Sequence, residues 1–113
     1  MNQLELLRDI VKTYQKYGWQ LRRALLSPAT QEAAQGDETL AGAVVSEHEI
    51  DALWFARPSA GGREAWELRH LNAAPYALFE TFEPDENEED REEARLDTEA
   101  RLREYARQRA ANS

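Results

Sequence analysis

Residues 51–83 read DALWFARPSAGGREAWELRHLNAAPYALFETFE, and this stretch decides the fold. Three runs rich in aromatic and branched residues, Asp51 to Arg57, Glu64 to Leu71 and Tyr76 to Glu83, are separated by two short polar connections. Pro58-Ser59-Ala60-Gly61-Gly62-Arg63 and Asn72-Ala73-Ala74-Pro75 both carry turn chemistry and are short enough for hairpins. Three successive antiparallel strands make a meander. A register for the first hairpin follows from matching side chains: Arg57 opposite Glu64, Phe55 opposite Trp66, Leu53 opposite Leu68 and Asp51 opposite His70. That pairing puts Leu53, Phe55, Trp66 and Leu68 on one core face. It sends Trp54, Glu67 and Arg69 to the reverse face. In the third strand Phe79 points one way while Tyr76, Leu78 and Phe82 point the other.

Working outward toward the start, Leu4, Leu7, Val11 and Tyr14 share one face of a helix that Ile10 and Tyr17 widen. Asn2 and Glu5 have the spacing of a capping box, and Gly18 stands where the helix ends. Arg8, Lys12 and Lys16 take its other side. From Trp19 to Leu26 the period changes to two, which adds a fourth strand to the sheet. Arg23 interrupts the apolar side of this strand and suggests an edge. Ser27-Pro28 reads as a cap and first helical residue, with Gln31 to Gln35 completing a short second helix that Gly36 stops. Leu40 to Val45 reads equally as a short strand or a packed loop.

Toward the other end, Asp85 to Ala110 reads as one long helix, with Asp85 as cap and Glu88 at the capping-box position. Residues 83–93 hold eight acids and Arg91 as their lone base. Arg gathers in the last turns, the favourable sense for the helix dipole. The apolar stripe is thin: Ala94, Leu102, Tyr105 and Ala106. The acidic first half offers nothing for a core, so the basic side of the first helix is its expected neighbour. Leu102 and Tyr105 are left to dock the second half onto the domain or onto a second copy. The whole is one α+β domain over residues 1–113, an antiparallel meander of about four strands with an N-terminal helix, a short second helix and a long C-terminal helix.

Composition narrows the function classes. The chain has 113 residues, 42% apolar, with 22 acids against 14 bases and a formal net charge of −8. An acidic surface repels phosphate, which argues against nucleic acid as partner. Cysteine is absent, which removes disulfides, thiolate ligands and a cysteine nucleophile. No apolar run approaches the ~20 residues of a membrane span. The start lacks the plan of a signal peptide, so a cytoplasmic setting is expected.

The candidates for chemistry are few. Asp51 opposite His70 would fix the imidazole tautomer and raise its pKa, and Tyr76 nearby would be a proton donor. Glu47-His48-Glu49 places neighbouring ligands on opposite sides of an extended chain, so no metal site is expected. Gly61-Gly62 reads as turn glycines with φ > 0 rather than a phosphate loop. No cofactor motif is present. The layout is shared by several small α+β modules, and layout does not fix function. The favoured expectation is a non-enzymatic protein-interaction module, a homodimer, contacting its partner through Trp54, Phe79, Leu102 and Tyr105. The alternative is a small enzyme or small-ligand binder with His70, Asp51, Tyr76 and Arg69 lining a pocket between the sheet and the long helix.

Overall fold

In the computed structural model, which describes residues 2–111, five strands form one mixed sheet between two helical layers. The order along the chain is α1 (Gln3–Lys16), β1 (Gln20–Leu26), α2 (Pro28–Ala33), a 3₁₀ turn at Glu38–Leu40, β2 (Val44–Glu47), β3 (Ala52–Pro58), a 3₁₀ turn at Ala60–Gly62, β4 (Glu64–His70), β5 (Ala77–Phe82) and α3 (Glu88–Ala111). Across the sheet the order is β2-β1-β3-β4-β5. The α+β class and the β3-β4-β5 meander are as read from the sequence. The sheet has five strands rather than four, because Val44–Glu47 is a strand and pairs parallel to β1. That pairing places β1 inside the sheet, so Arg23 does not mark an edge.

Local chemistry explains the boundaries. The Asn2 side chain accepts from the Glu5 N–H at 2.8 Å and starts α1. Gly18, at φ 86°, reverses the chain after it, a conformation that costs glycine nothing. Ser27 caps α2 with proline at its first turn. Helix α3 starts later than Asp85: the Asn87 side chain accepts from the Asp90 N–H at 2.8 Å and is the cap. Its 24 residues span about 36 Å at 1.5 Å per residue, close to the 39 Å long axis of the molecule.

The first hairpin is one residue out of the expected register. Pro58 pairs with Glu64, Ala56 with Trp66, Phe55 with Glu67, Trp54 with Leu68 and Ala52 with His70. The Ser59 N–H donates to the Arg63 carbonyl at 2.8 Å and closes a tighter loop than the one that would set Arg57 against Glu64. A one-residue slip exchanges the faces. Leu53 and Phe55 therefore face α1, packing with Leu7, Ile10, Val11 and Leu26. Ala52, Trp54 and Ala56 face α3, with Trp66, Leu68, Phe82 and Leu102. The expected single core face is two faces, each covered by its own helix. Residues 52–56 are all buried, as in a strand sandwiched on both sides.

Helix α3 docks by its middle and second half, while residues 88–93 contribute no buried side chain and meet the domain through ion pairs at its rim. Its inward face is Arg95, Thr98, Glu99 and Leu102, all buried. Thr98 and Glu99 are tolerated there because they are partnered: Thr98 donates to Glu80 at 2.8 Å, and Glu99 accepts from Trp54 at 2.8 Å. Helix α1 lies across the other face of the sheet, so its bases are not the neighbours of the acidic start of α3. Arg8 instead pairs with Asp37 at 2.6 Å, and Glu92 pairs with Arg23 at 2.6 Å. Among the described residues no helix is long and apolar enough to cross a membrane.

Candidate interaction surface

Two of the expected contact residues lie in the core. Trp54 and Leu102 are each 0% exposed, held between β3, β4 and α3. The register shift explains Trp54, and the docking of α3 onto its own domain explains Leu102. Tyr105 is half-buried, its ring centroid 3.6 Å from that of Tyr76. Phe79 stands apart at 67% exposed.

Phe79 lies in β5 opposite Glu67, which in turn lies opposite Phe55. On this face α1 covers β1 and β3, and its outermost reach is Tyr14. The Tyr14 ring stacks on Phe55 with centroids 4.0 Å apart. Its hydroxyl donates to the Glu67 carboxylate. Burial raises the Tyr14 pKa well above the ordinary 10, and the hydrogen bond and negative charge of Glu67 push it the same way. Beyond this pair the sheet face is uncovered. The outward residues of β5 there, Ala77, Phe79 and Thr81, carry no charge, and β5 is a sheet edge.

The turn at Gly18 completes the surface. It brings Trp19 edge-on to Tyr14 at 6.1 Å and leaves Tyr17 64% exposed. Arg57 lies over the Trp19 ring at 4.4 Å and donates to the Tyr17 carbonyl at 3.0 Å. These groups, with Glu67, line a depression of about 340 Å³. The signal for Tyr17 and Trp19 was present in the sequence as aromatics flanking a helix-ending glycine. Their convergence with Glu67 required the register.

The expected His70 site is divided. His70 and Tyr76 both lie against the Tyr105 ring, and His70, Asn72, Tyr105 and Arg109 line a depression of about 290 Å³ at the end of α3, with Tyr76 outside its wall. Asp51 does not join them. Its carboxylate accepts from the Ser27 N–H at 2.7 Å, the Thr30 hydroxyl at 2.6 Å and the Gln3 amide at 2.9 Å. It thereby ties α1, α2 and the start of β3 together. Arg69 projects to the other face and donates to the backbone carbonyls of His70 and Asn72. Burial is the main cause holding the His70 pKa below 6.5, Arg69 adds to it, and Asp51 opposes it. The raised value expected from pairing with Asp51 is thus reversed. Among the described residues no carboxylate hydrogen-bonds the ring, and no group of three or more His, Cys, Asp or Glu side chains is placed to hold a metal ion.

Comparison with family models, with curated proteins and with solved structures found no match.

Proposed function

We propose that the protein is a non-enzymatic interaction module, cytoplasmic in setting, that pairs with a second copy through the open edge of β5. The observation that supports this reading is the uncharged, uncovered strip of Ala77, Phe79 and Thr81 on an edge strand, with exposed Tyr17 on the same side of the sheet. Edge strands are usually protected by charge, a bulge or a covering segment, and this strip has no charged side chain. Two chains of net charge −8 repel one another over most of their surface. At this strip, antiparallel pairing of β5 with itself brings Phe79 of each copy together and sets no like charges face to face.

Light scattering on size-fractionated protein tests the reading. The wild type should have the mass of two chains, and Phe79→Glu the mass of one, with an unchanged melting temperature. A wild type that stays at one chain mass over a wide concentration range removes self-association. A Phe79→Glu variant that remains dimeric removes β5 as its seat.

A further inference from the structure

The opposite face of the sheet carries a second feature, at the other end of α3. A bulge in β1 between Leu21 and Arg23 turns two successive arginines to one side. Arg22 lies 5.4 Å and Arg23 6.0 Å from the centre of the Trp66 ring, and Arg95 from α3 lies 4.6 Å from it. Arg91, one turn before Arg95, completes the wall of a cleft of about 330 Å³. Four guanidinium groups thus converge in a chain whose net charge is −8.

Their partners satisfy two of the four and leave two short. Glu92 accepts both forks of Arg23, at 2.9 and 2.6 Å, and one contact from Arg95 at 3.3 Å. Glu88 accepts from Arg95 through a side chain that is otherwise mostly in solvent. Glu64 accepts from the Trp66 indole at 2.6 Å and stands 3.8 Å from Arg91, beyond hydrogen-bond reach. Arg91 instead donates to the Glu86 and Glu83 carbonyls at 3.0 and 2.7 Å, so the guanidiniums left short of partners are Arg22 and Arg95. Arg22 has no carboxylate partner among the described residues. Arg95 is 2% exposed, and its buried Nε–H has no acceptor among them. A buried charged donor without an acceptor is rare and costly.

We propose that this cleft binds a phosphate-type oxyanion. The guanidinium fork matches the spacing of phosphate oxygens and grips them through two parallel N–H bonds. A dianion here would supply the acceptor that the Arg95 Nε–H lacks and the counter-charge that Arg22 lacks. The Trp66 face is taken by guanidiniums, so no base can stack there, and recognition is of the anion itself. The cleft is near the small end of ligand pockets, enough for phosphate or a small phosphate monoester. Exposed Glu88 competes with the ligand for Arg95.

The test is titration of the protein with inorganic phosphate and with phosphoserine at constant ionic strength, followed by the ¹H–¹⁵N signal of the arginine Nε–H groups and by calorimetry. A saturable shift of the Arg95 signal is expected with at least one of them. Tighter binding of phosphoserine would identify an ester as the ligand, and equal or tighter binding of phosphate would identify the free anion. Arg22→Ala should weaken binding about tenfold, the loss expected for one charge-assisted contact. Glu88→Gln should tighten it, because a competing carboxylate is gone. Both positions are exposed, and unchanged melting temperatures would show that the fold is kept. No saturable shift, or the same shift with chloride at equal ionic strength, overturns the proposal. So does Arg22→Ala binding as tightly as wild type.

Discussion

The Trp54 indole N–H donates to the Glu99 carboxyl group at 2.8 Å, and both side chains are buried. This bond joins the central strand to the middle of α3, where the helix has few apolar side chains to offer. Trp66 meets Trp54 edge-on at 5.8 Å and packs beside it. The helix is therefore held by a polar anchor set in an aromatic floor, with Leu102 as its main apolar contact.

Removing the donor while keeping an aromatic ring isolates the bond. Trp54→Phe leaves Glu99 buried without a partner and opens a small cavity. The expected loss is about 2–4 kcal/mol, a sizeable part of the stability of a small domain. Urea denaturation checks it. A loss under about 0.5 kcal/mol, the size typical of a surface change, would show that Glu99 finds other partners.

The helix that this bond anchors shows where the sequence was legible and where it was not. The ends of α1, the cap at Ser27 and the turn glycines follow local rules, and the structure keeps them. The unbroken run Ala52-Leu53-Trp54-Phe55-Ala56 was itself the signature of a strand buried on both faces. Reading it by alternation alone gave one buried face and left Trp54 outside. The inward face of α3 escaped because burial there is decided by partners supplied from β3 and β5. No helical periodicity marks Arg95, Thr98 and Glu99 as interior. The same holds for Glu67, whose partner Tyr14 lies 53 positions away. Strand Val44–Glu47 is short, follows Gly42 and pairs parallel, so neither a hairpin turn nor a long apolar run announced it.

Acid should weaken the fold in two separable steps. Burial holds His70 below its ordinary 6.5, so the folded state favours the neutral ring. That contribution is complete above 6.5 and is lost as the pH falls toward the lower folded value, because the unfolded chain takes up the proton first. Glu92 is held at about 2 chiefly by its hydrogen bond from Arg23, against an ordinary 4.5. Its contribution is complete above 4.5 and is lost between there and about 2. Glu92 is about a third exposed, so its step should be reduced by solvent screening and should shrink with salt. NMR titration of the His70 ring should give a value below 6.5. A value above it would mean that a carboxylate holds the ring after all.

Alkali should act through Tyr14. Its folded pKa lies above the ordinary 10, first because the hydroxyl is buried and then because it donates to Glu67. The stabilisation is complete below 10 and fades as the pH rises through the folded value. Ultraviolet titration should show one of the four tyrosines ionising later than the rest. Tyr14→Phe should abolish that late step and cost about 1–3 kcal/mol, since Glu67 is left buried without its donor. Four tyrosines titrating together would show that the hydroxyl is solvated.

The docking of α3 is tested by where the chain can be cut. A chain ending at Arg95 loses Thr98, Glu99, Leu102 and Tyr105, and with them the cover over Trp54, Leu68 and Leu78. Exposing that floor forfeits roughly 25 cal/mol for each Å² of apolar surface, more than a small domain can lose. This truncation should show no cooperative thermal transition. A chain ending at Gln108 keeps every buried residue of the described part of α3 and gives up, among its contacts, the cation–π contact of Arg109 over Tyr105 at 5.9 Å. Its melting temperature should fall by a few degrees at most, as for a change of about 0.5–1 kcal/mol. If the shorter chain melts like the full one, α3 contributes nothing to the core and the three-layer arrangement is wrong. If both truncations unfold, the last turn of α3 carries more of the docking than its exposure implies.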